Sequence, residues 1–255
     1  MKKYFNIAFL FILFGCGEQL MDYNIETTTP VVESYLQEGA DALTVKVYSM
    51  EVYLKNDEVE LSKPITGLNI SVNNKQLEEM STGTYQLTLD TLRQGQVYDL
   101  KFDYNGKSVE ASTTIPAPVS NLRAEPETLA ISSYYMWYGS DTAEVVTVSW
   151  DDPDNNYYQV YIESPNTTDM PSFGVFGRRM MQPFRGNTYR ATARDFRSTG
   201  THWIYVYRVN DDYAELYERV SSSDLANPVS FIHNAFGIYT SMSIARVGVY
   251  VYNSD

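Results

Sequence analysis

Apolar and polar residues alternate with a period of two through most of the chain. Residues 43–48 (Leu-Thr-Val-Lys-Val-Tyr), 83–89 and 98–102 each read this way. Such alternation marks strands with one face buried and one in water. Residues 31–36, 67–72 and 108–115 are β-branched or aromatic enough to join them. Asn105-Gly106 falls between two such runs and predicts a two-residue hairpin, whose turn positions need the left-handed backbone those residues tolerate. After residues 115–119 (Ile-Pro-Ala-Pro-Val) the pattern resumes at 145–150, 157–162 and 200–207. The two prolines lack an N–H and disfavour helix before them, so this stretch is a short extended linker. The expectation is an all-β chain of two tandem antiparallel, immunoglobulin-like β-sandwiches, over residues 31–117 and 118–255.

Three segments depart from that rhythm. Residues of about 211–221 are the best helix candidate: Asp211 and Asp212 suit the free N–H groups of a first turn, and Tyr213, Leu216, Tyr217 and Val220 share one face. Residues of about 164–199 exceed an ordinary connection and read as an insertion. The chain closes with 234–239 and then a last strand at 245–252.

The start of the chain has a different grammar. Lys2 and Lys3 precede an apolar run at 4–14, too short to span a bilayer as a helix, followed by Gly15 and Cys16. This is a secretory signal over residues 1–15. Leu13-Phe14-Gly15-Cys16 resembles the lipobox of bacterial lipoproteins, and that likeness implies lipidation of Cys16. Residues 16–30, polar and Thr-rich, then form a flexible tether.

Composition narrows the picture. Cys16 is the only cysteine, so neither sandwich holds an internal disulfide and the cores must supply stability. Cleavage after Gly15 removes two lysines and leaves 17 basic against 32 acidic residues, a net charge of −15. Such a surface repels nucleic acid and anionic lipid headgroups, and it argues against both as general partners. His202 and His233 form no His-x-x-x-His pair, and no nucleophile elbow, phosphate loop or dinucleotide fingerprint is present. Asp151 with Asp154, and Asp211 with Asp212, sit at a turn and a helix start, where they serve as turn formers and caps. The expectation is a protein that is not an enzyme and takes no cofactor or metal.

Two clusters are candidates for contact. Arg178, Arg179, Arg185, Arg190, Arg194 and Arg197 hold six of the eleven arginines, interleaved with aromatics that include Phe176 and Phe184. Arg pairs with carboxylates and stacks on rings, and both residue types are enriched at interfaces. The cluster is either a partner-binding surface or local charge compensation with its aromatics in the core. Tyr135 and Trp137 could stack on a ligand, although half of a strand there would face inward.

Val145 to Trp150, the acidic Pro153 turn and Tyr157-Tyr158-Gln159-Val160 resemble a fibronectin type III module. The likeness implies Trp150 between the sheets, with Tyr158 and Val160 beside it. Trp203 stands where such modules place a corner tyrosine. Pro64 to Leu68, Gly83-Thr84-Tyr85 and Gly106-Lys107 resemble transthyretin-like modules. The whole order, from lipobox through the Ile-Pro-Ala-Pro linker to Asn234-Ala235-Phe236-Gly237-Ile238-Tyr239, resembles a Bacteroidetes lipoprotein family of unknown function often encoded near TonB-dependent transporters. That resemblance implies an outer-membrane, surface-displayed lipoprotein, accessory to a β-barrel nutrient transporter; an adhesin or surface-fibre component is the alternative.

Cells fed labelled palmitate should transfer label to the wild-type chain and not to Cys16→Ala. Equal labelling of the two would remove the anchor.

Overall fold

The computed structural model describes residues 29–49, 53–55, 58–60, 63–132, 144–165, 182–196, 198–221 and 230–254. In the first half lie β1 (Pro30–Gln37), β2 (Ala42–Ser49), β3 (Tyr53–Lys55), β4 (Glu58–Glu60), β5 (Lys63–Pro64), β6 (Ser71–Val72), β7 (Lys75–Gln76), β8 (Glu78–Ser81), β9 (Thr84–Thr88), β10 (Val97–Tyr104) and β11 (Lys107–Thr114). The second half holds β12 (Ser120–Glu125), β13 (Thr128–Ile131), β14 (Glu144–Asp151), β15 (Tyr157–Glu163), β16 (Phe184–Arg185), β17 (Thr188–Thr192), β18 (Gly200–Val209), helix α1 (Asp211–Ser221) and β19 (Phe236–Asn253). The all-β architecture is as expected, and α1 falls where its periodicity put it. The hairpin at Asn105-Gly106 is present too, with φ of 49° and 75° at its two turn residues.

One large sheet runs through the molecule in the order β16-β15-β18-β19-β1-β2-β9-β8, with β13 also on β19 and β5 on β2. The sheet β11-β10-β6-β7 covers its β1 side and the sheet β12-β14-β17 covers its β18 side. Two cores result. Val32, Leu36, Val45, Leu100, Phe102 and Val109 fill the first. Trp150, Tyr158, Val160, Ile204, Val206 and Val249 fill the second. Trp150 is 2% exposed, its ring 4.9 Å from that of Tyr158, so the expected core position holds.

The strand that joins the cores is β19. At 18 residues it is three times the usual strand of roughly five or six. Along its whole length it pairs antiparallel with β18 or parallel with β1, and near its end parallel with β13. This corrects the reading of 234–239 and 245–252 as separate. The intervening Thr240, Ser241 and Ser243 look like a break because they are polar, yet each is fully buried. Their hydroxyls are all spent. Ser241 donates to the carbonyl of Thr114 (2.7 Å), Ser243 to that of Ala117 (2.8 Å) and Thr240 to the Asp212 carboxylate (2.8 Å). Asn210 Nδ2 reaches the Ser241 hydroxyl (2.9 Å) and that of Thr113 (3.1 Å). The proline linker thus crosses β19 on hydroxyl donors.

The stretch expected as an insertion also changes character. It contains β16 and β17, and β17 pairs with β14 over Glu144 to Ser149, so it completes the second sandwich. Period-two reading missed β17 because Thr188-Tyr189-Arg190-Ala191-Thr192 buries a single small apolar residue, Ala191.

Two positions in this frame carry sharp consequences. A Cβ at Gly237 (φ +96°) would lie 2.0 Å from the Val32 carbonyl oxygen, where β1 and β19 pair. His202 is fully buried on β18; its Nδ1–H donates to the Gly200 carbonyl (3.3 Å), which leaves Nε2 to accept from Ser198 (3.4 Å). Burial lowers its pKa.

Gly237→Ala should therefore cost at least about 3 kcal/mol in urea unfolding, against about 1 kcal/mol for Gly39→Ala, whose Cβ would meet open space. For His202 the unfolded chain takes up a proton near pH 6.5 and the native one does not. Stability is then full above that pH and falls as pH drops below it. His202→Phe should flatten the wild-type decline between pH 6.5 and 5 by up to about 1.4 kcal/mol per pH unit, read from urea midpoints.

Candidate binding surface

Each strand of the large sheet turns alternate residues away from the cores, to an outer face. On β15 these are Tyr157, Gln159, Tyr161 and Glu163; on β18 Trp203, Tyr205 and Tyr207; on β19 Met242, Ile244, Arg246, Gly248, Tyr250 and Tyr252. Helix α1 roofs the half nearest β1. Its Tyr213 and Ala214 are buried, and Tyr213, Leu216 and Tyr217 pack on Tyr35, Tyr161, Tyr207, Val209 and Ile238. The Tyr213 hydroxyl donates to Gln159 Oε1 (3.1 Å), which keeps buried Gln159 satisfied. The Asp212 carboxylate holds the helix start by accepting from Tyr213 N (2.7 Å) and from the Thr240 hydroxyl, and burial raises its pKa.

Beyond the helix the same face opens to solvent. Trp203 is 36% exposed, Tyr252 45% and Tyr250 52%. Trp203 stands opposite Gly248, and the atoms of its ring nearest β19 would lie 3.3 Å from a Cβ there. The missing side chain lets the indole lie down over the neighbouring strand, and the ring in turn shields the glycine backbone. The Arg246 guanidinium sits 4.4 Å from the Trp203 ring centre and 6.0 Å from that of Tyr205. Arg246 Nη1 donates to the Tyr205 hydroxyl (3.4 Å), which donates to Glu163 Oε2 (2.8 Å). Tyr205 meets Tyr161 at 6.0 Å and stacks with Tyr207 at 6.4 Å. The outcome is a pre-set arrangement of ring faces, one cation and one carboxylate. Thr128 and Ala130, small and exposed, flank it on β13 opposite Tyr250 and Tyr252. Trp, Tyr and Arg held in this way are the residues that dominate binding energy at protein interfaces.

The sequence pointed elsewhere. Arg185 lies on the sheet edge at β16, its guanidinium 3.9 Å from the Tyr157 ring centre and 3.8 Å from Asp211. With Glu215 and Glu218 these residues line an open hollow of about 440 Å³. Arg190 lies on β17 in the three-stranded sheet, and Arg194 in the 3₁₀ turn that follows; both are exposed and both have partners. Arg185 is therefore on one sheet and Arg190 on another. Phe184 is half-buried, 6.2 Å from Trp150 and 6.4 Å from Tyr189, and belongs to the second core. Cys16, Tyr135, Trp137, Phe176, Arg178, Arg179 and Arg197 lie outside the described residues. Trp203, expected at a core corner, is on the outer face. Its signal was available: aromatics at 203, 205 and 207 and again at 250 and 252 keep one parity, and the β-branched residues between them fill the core.

The carboxylates that the sequence places at a turn and a helix start have local duties. Asp151 accepts from Asn121 Nδ2, Asp211 lies 3.8 Å from Arg185, and Asp212 accepts from Tyr213 N and Thr240; beside them Asp152 takes Asn156 N on both oxygens and Asn156 Nδ2 on Oδ1. Among the described residues no three His, Cys, Asp or Glu are grouped to hold a metal ion, and no helix is long and apolar enough to cross a membrane.

Comparison with known proteins adds the following. No curated protein matches the sequence. Among solved structures the chain is similar to the Yersinia pseudotuberculosis adhesin InvE (13% identity, 88% of this chain, 59% of that one, TM-score 0.23). It is similar also to domains 4–9 of the surface layer protein SbsC (13% identity, 89% and 31%, TM-score 0.23). A chimeric titin Z1Z2 carrying a decorin peptide gives 12% identity, 89% and 98%, and a TM-score of 0.22. The chain spans less than two thirds of the first two, and at such TM-scores none of these likenesses carries an argument. The family model is different in weight, since it matches residues 18–245: the chain belongs to the family described as Domain of unknown function (DUF4249).

Proposed function

We propose that this chain is a non-catalytic lipoprotein of the outer membrane, held by lipid on Cys16, that binds a partner through the outer face at Trp203, Arg246, Tyr250 and Tyr252. One observation carries the reading. Large aromatic rings and an arginine, fixed by Gly248, Tyr205 and Glu163, are exposed on a face whose other half is roofed by α1. A surface that served only solubility would place short polar side chains there. The partner is an outer-membrane β-barrel of TonB-dependent nutrient transport, and the signal sequence with Cys16 supports the shared location. The work is contact: Asp151 and Asp212, which the sequence places at a turn and a helix start, accept from Asn121 Nδ2 and from Thr240 and Tyr213 N.

A second reading has its own support. A continuous 18-residue strand common to both cores makes a stiff body, which suits a spacer in an adhesin or surface fibre.

The test is purification of the full chain from native membranes in mild detergent, with the co-purifying proteins identified by mass spectrometry. A TonB-dependent barrel should come with the wild type, and Trp203→Ala combined with Arg246→Glu should retain about tenfold less of it or worse, with unchanged urea midpoint. A barrel retained equally by the variant overturns the surface. Polymer ladders without a barrel favour the spacer.

A further inference from the structure

We infer that the end of the first sandwich where β1 begins is the end that faces the bilayer, resting near its headgroups, while the second sandwich points away. This rests on the lipid-anchor reading of Cys16.

The geometry leaves the tether one exit. Pro30 pairs with Ser49, and Val31 pairs with both Tyr48 and Phe236, so β1 is hydrogen-bonded on both sides from its first residues. Thirteen residues lie between Cys16 and Pro30, so the two are at most about 50 Å apart. From that end β19 runs parallel to β1, so every step carries it away from the anchor. Its 18 residues end about 55 Å beyond Phe236, and Gly248 lies about 40 Å along.

The elements collected at the anchored end fit a lipid surface. The β10–β11 hairpin turns there. The segment before β19 closes the core beside it, through His233 N to the Glu110 carbonyl (2.8 Å) and Asn234 Nδ2 to the Ser108 carbonyl (2.8 Å). Phe231 on this segment is 39% exposed, although Ile232 and Ala235 beside it are buried. Lys63 on β5 and Lys107 on β11 are exposed at the same end, with Asp103 and with Glu79, which accepts from Gly83 N, while Lys101 pairs with Glu110 at 2.8 Å. An aromatic ring and ammonium groups are what the headgroup layer accommodates, the ring at the acyl boundary and the amines on phosphate. The aromatic surface around Trp203 is thereby held well clear of the membrane, open to a partner that projects from it.

The experiment uses the full chain, processed with its own signal and reconstituted into vesicles of phosphatidylethanolamine and phosphatidylglycerol that carry a nitroxide on a fraction of headgroups. Cys16, with its sulfur acylated, does not take a thiol dye, so one added cysteine reports one place. Dye on Lys107→Cys or Lys63→Cys should lose most of its fluorescence to the nitroxide lipid. Dye on Ser254→Cys, at the far end of β19, should keep most of it. Equal quenching at the two ends, or the reverse order, in protein that floats with the vesicles overturns the orientation and leaves the anchor standing. Protein that fails to float and labels at Cys16 removes the anchor, and the orientation with it.

Discussion

The structure depends on hydroxyl groups in the middle of a strand being buried and satisfied. Thr240, Ser241 and Ser243 of β19 lie where the two cores meet, and a buried hydroxyl without a partner costs about 1–3 kcal/mol. Each finds its acceptor in another part of the chain: the carbonyl of Thr114 at the end of β11, that of Ala117 in the linker, and the carboxylate of Asp212 at the start of α1. Three separate elements are thereby drilled onto one strand. The linker is the natural counterpart. Pro116 and Pro118 bring no N–H of their own, while the carbonyls around them still need donors.

This joint sets the geometry of everything else. Two sandwiches linked by a flexible segment would take many relative orientations. Here β19 is a member of both, so the two cores share one sheet and one direction. The parallel pairing of β1 with β19 places the starts of the two strands at the same level, then sends β19 on beyond the end of β1. Gly237 is the local condition for that pairing, since the Val32 carbonyl occupies the space a side chain would need.

The outer face follows from the same sheet. Alternation assigns one parity of β15, β18 and β19 to the cores and the other to the outside, and the outside parity is rich in tyrosine. Over the joint α1 covers these rings, with Tyr213 on Gln159 and Asp212 on Thr240. Past the helix they continue uncovered as Trp203, Tyr205 and Tyr250, cross-braced by Arg246 and Glu163. A rigid scaffold that presents ordered aromatic rings loses little conformational entropy on binding, which suits a protein whose output is contact.

The sequence by itself determined the elements whose cause is local. Asn105-Gly106 makes a hairpin wherever it sits between strands, Asp211 with the Tyr213–Leu216–Tyr217 spacing makes a helix, and Trp150 with Tyr158 is buried because both lie on the apolar parity of strands that face each other across the second core. The all-β class and the linker are legible for the same reason. Tertiary structure alone decided which strands pair and in which direction, because the period of two is identical in parallel and antiparallel sheets. It also decided that the polar run Thr240 to Ser243 is strand interior, since its acceptors lie 28 to 127 residues away along the chain. Trp203 divides between the two: its parity with Tyr205 and Tyr207 puts it on the outer face, whereas its place over Gly248, 45 residues further on, depends on the pairing of β18 with β19.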